Sequence, residues 1–151
     1  MLVTIDCRGG DAYWDEGAIE DLATFALEHM GVPDACEVSI SLVDVDEIHD
    51  LNLEYRGIDS PTDVLSFECD DPWGACPEGE SVQIGDVVIA LDVVDEQRAQ
   101  FQTSFEEEAS LMLVHSLLHL LGYDHVDEDG AREMEAFEKE ILDNYGLVGI
   151  R

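Results

Sequence analysis

With 151 residues, 46% of them hydrophobic, the chain is long enough for one cored domain over residues 1–151 and too apolar for a disordered one. Thirty-seven acidic residues against six basic ones give a formal net charge of −31, and they divide into 19 within residues 1–75 and 18 within residues 76–151, so the acidity covers the whole surface and is not an acidic tail. The only cations are Arg8, Arg56, Arg98, Arg132, Arg151 and Lys139, which excludes a broad basic groove and leaves any nucleic-acid binding to a few placed charges.

The first residues, MLVTIDCRGGD, lack the charged and apolar regions of a signal peptide. No apolar run approaches the roughly 18 residues that a membrane span needs. A cytoplasmic location is the expectation, with Cys7, Cys36, Cys69 and Cys76 as reduced thiols, since none of them forms C-x-x-C.

Residues 2–6 read as a first strand. Over 16–30, Ala18, Ile19, Leu22, Ala23, Ala26 and Met30 form one stripe of a helix, which Gly31 and Pro33 end. Cys36, Val38, Ile40 and Leu42 alternate with polar residues, the pattern of a half-buried strand. A short helix over 45–55 stops at Gly57, and a strand follows over 63–68. Residues 69–81, rich in Pro, Gly and acids, read as a loop. The strand over 82–91 is nearly continuously apolar in its second half, which predicts a central place in the sheet. A helix spans 92–101. Ser104 and Glu107 then fit a capping box, opening a helix that runs to Leu121. Its second half, LMLVHSLLHLL, is apolar on every side and must be buried. Gly122 suits the left-handed position after a helix end. A last helix over 130–145 places Met134, Phe137, Ile141 and Tyr145 at spacings of three, four and four. Without strict strand–helix alternation the class is α+β: a small mixed sheet of about four strands packed on helices, with a buried central helix, zincin-like in character.

That helix carries the chemistry. His115 and His119 are four residues apart and project from one face, their Cβ atoms roughly 5–6 Å apart. Gly122 lets the chain reverse so that His125 can return to the same point. Three neutral imidazoles would hold one metal ion and leave a fourth position for water, the pattern of a catalytic zinc site. Two polar rings left unsatisfied in an apolar core would each cost about 1–3 kcal/mol, which argues against a merely structural cluster. His29 and His49, in helices among acids, read as surface residues. Asp124, beside His125, either accepts a ligand ring's N–H or shapes the turn. Arg56, before Gly57, either pairs with a surface carboxylate or faces an anionic oxygen at the metal. Thr62 and Asp63 read mainly as pinning the following loop.

The spacing H-x-x-x-H-x-x-G-x-x-H is that of metzincin proteases, but the Glu that follows their first His is Ser116 here. A hydroxyl cannot hold a proton at neutral pH as a carboxylate can. Met134 sits in an amphipathic helix and reads as core.

Three segments in order, Asn52–Phe67 (NLEYRGIDSPTDVLSF), Gly85–Ile89 (GDVVI) and His115–His125 (HSLLHLLGYDH), give the chain a specific likeness over nearly its whole length: it resembles the bacterial YbeY family, the zinc-dependent endoribonucleases of ribosomal RNA maturation. It departs from the family's common pattern in having Ser116 in place of Gly after the first His. The resemblance implies His115, His119 and His125 as ligands of one zinc ion and Arg56 as the catalytic Arg. It further implies cleavage of single-stranded RNA in maturing the 3′ end of 16S rRNA, ribosome quality control, and partners in the small subunit and its assembly factors. Two rivals stand beside it, a metzincin-like metallopeptidase and a non-catalytic, zinc-containing ribosome-assembly factor, the latter suited to an acidic surface that docks basic proteins. The attacking group is open between water and the RNA 2′-hydroxyl. With so few cations, weak binding to bare RNA and delivery by ribosomal partners are expected.

Overall fold

The computed structural model describes residues 1–9, 14–74 and 76–149. Arg151 lies outside them. In chain order the elements are β1 (Leu2–Cys7), α1 (Glu16–His29), β2 (Cys36–Val43), α2 (Val45–Arg56), β3 (Val64–Glu68), β4 (Val82–Ala90), α3 (Leu91–Phe101), α4 (Phe105–Leu120) and α5 (Glu128–Tyr145). The architecture is α+β, with a four-stranded mixed sheet ordered β1-β2-β4-β3. β1 and β2 run parallel, as do β2 and β4, while β3 returns antiparallel to β4.

β4 is paired on both sides, and its apolar run has a simple cause. Val87 and Ile89 join the main core with α1, α4 and α5, whereas Val88 and Ala90 join a smaller cluster with Val43, Ile48 and Leu65 beneath α2. Alternate side chains of a strand point to opposite faces, so a strand covered on both has no polar side to show.

The main departure from the expected boundaries is α5, which starts two residues early. The Asp127 side chain accepts from the Gly130 backbone N–H at 2.6 Å and so caps the helix ahead of its glycine.

α4 sits where the expected all-apolar helix must. It packs against β3, β4, α1, α3 and α5, and Leu113, Val114, Leu117 and Leu118 are buried. Its capping box is complete: Glu107 N–H donates to Ser104 Oγ at 3.1 Å and Ser104 N–H to Glu107 Oε1 at 3.0 Å. The carboxylate held by those bonds is pulled below its ordinary pKa. The helix ends in a Schellman motif at Gly122 (φ 99°), with Gly122 N–H bonded to the His119 carbonyl at 3.0 Å and Tyr123 N–H to that of Leu118 at 3.1 Å. Ser116, fully buried in this helix, donates its hydroxyl to the Met112 carbonyl at 2.7 Å. The hydroxyl is thereby satisfied one turn back along its own helix.

Candidate metal centre

The turn after α4 brings three rings together. His115 and His119 lie half-buried on one face of the helix, and His125, exposed, returns from the turn, so that one ligand atom from each lies within 4.8 Å of the others. Ring centroids stand 4.6 Å (His115–His119), 5.2 Å (His119–His125) and 5.5 Å (His115–His125) apart.

Hydrogen bonds select the ring tautomers. His119 Nδ1 lies 3.0 Å from the Tyr123 carbonyl oxygen, which can only accept, so Nδ1 carries the proton. His115 Nδ1 lies against Glu138 Oε1 and donates to that carboxylate. With Nδ1 carrying the proton, the neutral form of each ring presents a bare Nε2 lone pair, and the two Nε2 atoms face each other at 3.1 Å. Two lone pairs at that distance repel unless a shared proton or a metal ion lies between them. Two bonds of about 2.0–2.1 Å at a tetrahedral angle would separate the nitrogens by about 3.3–3.4 Å, close to the observed spacing. The donor set thus fits a metal ion. Burial, and next the positive charge that His115 and His125 would carry, push His119 below the usual imidazole pKa, against an upward pull from Tyr123 and Glu138. That favours the neutral ring a metal requires.

Glu138 is the site residue that sequence reasoning missed. It is 9% exposed and comes from α5, 23 positions beyond His115. Carboxylate–imidazole–metal chains orient the ring and raise its basicity. A signal did exist: Glu138 lies four residues after buried Met134, so it is an acid on the inward face of α5. Asp124 Oδ1 accepts from the Val126 backbone N–H at 3.3 Å, within the turn that carries His125. We expect Glu138→Ala to keep the fold yet weaken metal binding by about 10–100-fold, measured by competition with a chelator of known affinity.

Arg56 closes α2 before Gly57 (φ 70°). The loop beyond it is tied back to the helix: Ile58 N–H donates to the Asn52 carbonyl at 3.3 Å, Asn52 Nδ2 to that of Ser60 at 2.9 Å, and His49 Nε2 bonds Asp59 Oδ1 at 2.7 Å. His49 is therefore half-buried and engaged, whereas His29 is exposed and only 3.6 Å from Glu140. Asp63 pins the far end of the loop, its Oδ1 accepting from Val64 N–H at 2.9 Å and its carbonyl from Ala90 N–H at 2.9 Å. Arg56 shares one cleft, of about 680 Å³, with His115, His119, His125 and β3. Arg8, Arg98, Arg132 and Lys139 all pair with carboxylates; among the described residues Arg56 is the Lys or Arg without such a pair. β3 is held against α4 by Ser66 Oγ, which donates to the Ser116 carbonyl at 3.4 Å.

An α+β domain brings three imidazoles that could hold a metal ion into one cleft with Arg56, which has no carboxylate partner among the described residues. The family model described as Endoribonuclease YbeY matches residues 11–146. The protein named endoribonuclease YbeY of Thermoanaerobacter sp. (strain X514) is 45% identical, over 94% of this chain and 96% of that protein. Its namesake from Bacillus subtilis (strain 168) is 42% identical over 85% of each. The solution structure of TM1509 from Thermotoga maritima superposes with a TM-score of 0.61 at 26% identity, covering 95% of this chain and 91% of that one. The chain belongs to the YbeY endoribonuclease family. No helix among the described residues is long and apolar enough to cross a membrane.

Proposed function

We propose that this chain, acting as one YbeY-like domain over residues 1–151, is a zinc-dependent, single-strand-specific endoribonuclease of the cytoplasm that matures the 3′ end of 16S rRNA and serves ribosome quality control. The observation that carries the reading is Arg56, without a carboxylate partner among the described residues, in one cleft with three imidazoles whose ring nitrogens lie within 4.8 Å of one another. The names of the relatives supply the reaction class.

A zinc ion held by His115, His119 and His125 would supply Lewis-acid polarisation of a phosphoryl oxygen and of water at the scissile linkage. The chain's own residues do the rest. Glu138 and the Tyr123 carbonyl hold two rings in the tautomer that binds metal. Arg56 donates hydrogen bonds to a non-bridging phosphate oxygen and offsets the charge that grows there in the transition state. Asp124 supports the site through its turn.

Arg56→Ala should lower RNA cleavage by about 10²–10³-fold with metal content unchanged. Single-stranded RNA carrying the 3′ boundary of the small-subunit rRNA, compared with a duplex of the same sequence, is the assay. If ribosome assembly in cells survives loss of Arg56 but not loss of the histidines, the chain is a non-catalytic assembly factor. The peptidase reading gains nothing from the site, since the Ser116 hydroxyl is buried and bonded to its own helix. The acidic surface suits docking to basic proteins of the small subunit and its assembly factors, which would deliver the substrate.

A further inference from the structure

Tyr55 is 61% exposed, outside the buried core, and it lines the same cleft as Arg56 and the three histidines. Its ring meets that of Phe67, from β3, at 5.2 Å and 68°. This edge contact braces Tyr55 without stacking on it. The bracing spans two elements, since Tyr55 belongs to the last turn of α2 and Phe67 to the edge strand β3. The loop that follows Arg56 is tied back to the same helix through His49 and Asn52.

Electrostatics make such a group necessary. The chain carries a formal charge of −31, and four of its described cations are occupied by carboxylates. Among the described residues, phosphate neutralisation, the usual source of affinity for nucleic acid, is left to Arg56 as the cation without a carboxylate partner, and to a metal ion where one is held. Stacking of a base on an aromatic ring needs no positive charge, tolerates any sequence and is open only to a base freed from a duplex. Resting on the endoribonuclease reading above, we propose that Tyr55, braced by Phe67, is the platform on which the nucleobase next to the scissile phosphate stacks, and that this contact supplies the preference for single strands. Tyr55 is then a substrate-binding residue, with no part in bond making.

The test pairs protein and substrate changes, using the metal-loaded full chain and a single-stranded oligoribonucleotide in which one nucleotide at a time is made abasic. Tyr55→Ala should raise KM on the order of tenfold with kcat within about twofold, and Tyr55→Phe should match the wild type. At one position beside the cleavage site the abasic nucleotide should cost the wild type a similar factor and cost Tyr55→Ala nothing further. Leu53→Ala, on the same helix and 47% exposed but outside the cleft, is the control and should change neither constant. A KM for Tyr55→Ala within twofold of wild type overturns the proposal, as does an abasic penalty that multiplies with Tyr55→Ala at every position. Fluorescence anisotropy with the same oligonucleotides separates this inference from the reading beneath it. Binding that depends on Tyr55 without any cleavage by the wild type sinks the nuclease reading and sustains the stacking platform; cleavage with Tyr55-independent binding does the reverse.

Discussion

His119→Ala should leave a folded protein that no longer retains a metal ion. The side chain is half-buried, and its loss frees only the Tyr123 carbonyl at the rim of the site, so the core is untouched. What disappears is one of three convergent nitrogens, and the loss of affinity should exceed the about 10–100-fold expected for an outer partner such as Glu138. Elemental analysis after dialysis gives the direct readout, with close to one zinc per wild-type chain and almost none in the variant. Thermal unfolding gives a second. A ligand at a hundredfold excess over its dissociation constant stabilises by about 2.7 kcal/mol, or about 5–10 °C for a chain of this size. Wild type should gain that with zinc and His119→Ala should gain nothing. Equal zinc in both proteins would remove the premise of a triad, and RNA cleavage would then need another centre.

Gly85→Ala should be the most damaging single methyl group in the sheet. Gly85 lies in β4 at φ 153°, just after the irregularity where the register with β2 skips Ile84. A Cβ there would stand 2.3 Å from the Phe67 carbonyl oxygen and 2.7 Å from Leu120 Cδ2. The first obstacle is backbone in the adjacent strand and cannot swing aside; the second is a buried side chain of α4. Overpacking and a backbone angle that side chains rarely adopt together should cost about 3 kcal/mol or more, lowering the melting temperature by about 6–12 °C. Because Leu120 adjoins His119, the same push displaces the ligand helix, so zinc affinity should fall although no ligand has changed. A variant that melts with the wild type would show that β3 and β4 have slack at this point.

Both effects trace to segments that were readable in the chain in different degrees. The helix carrying His115 and His119 could be read in full: a capping box at Ser104, an apolar surface all round, and a glycine at the turn, each a local signal that tertiary packing had no reason to override. The convergence of His125 was legible because Gly122 and eleven residues of sequence contain it. The acid on His115 was harder to see. Glu138 is one of 37 acidic residues, and only its place on the buried face of α5 distinguishes it, a cue that becomes decisive once α5 is known to pack against α4. For Asp124 the sequence left two roles open, and the structure shows its Oδ1 accepting from the backbone two residues on. Strand order was not legible either. The parallel pairing of β1 with β2 and of β2 with β4 depends on contacts across the whole chain, and periodicity within a strand says nothing about which neighbour it takes. Tyr55 illustrates the opposite difficulty. In the sequence it is one position of the Asn52–Phe67 segment with no role of its own, and the exposure of its ring in the cleft that Arg56 lines is what marks it.

The bond from His115 to Glu138 ties the metal centre to a helix that contributes no ligand. Docking of α5 supplies the carboxylate that strengthens the ring as a donor, so metal loading and α5 docking favour one another by the same factor in both directions. Any partner that gripped α5 in its docked position would tighten the ion, and any that prised it away would loosen the ion to the same degree. The outer face of α5 thus has a thermodynamic handle on the candidate metal centre through Glu138.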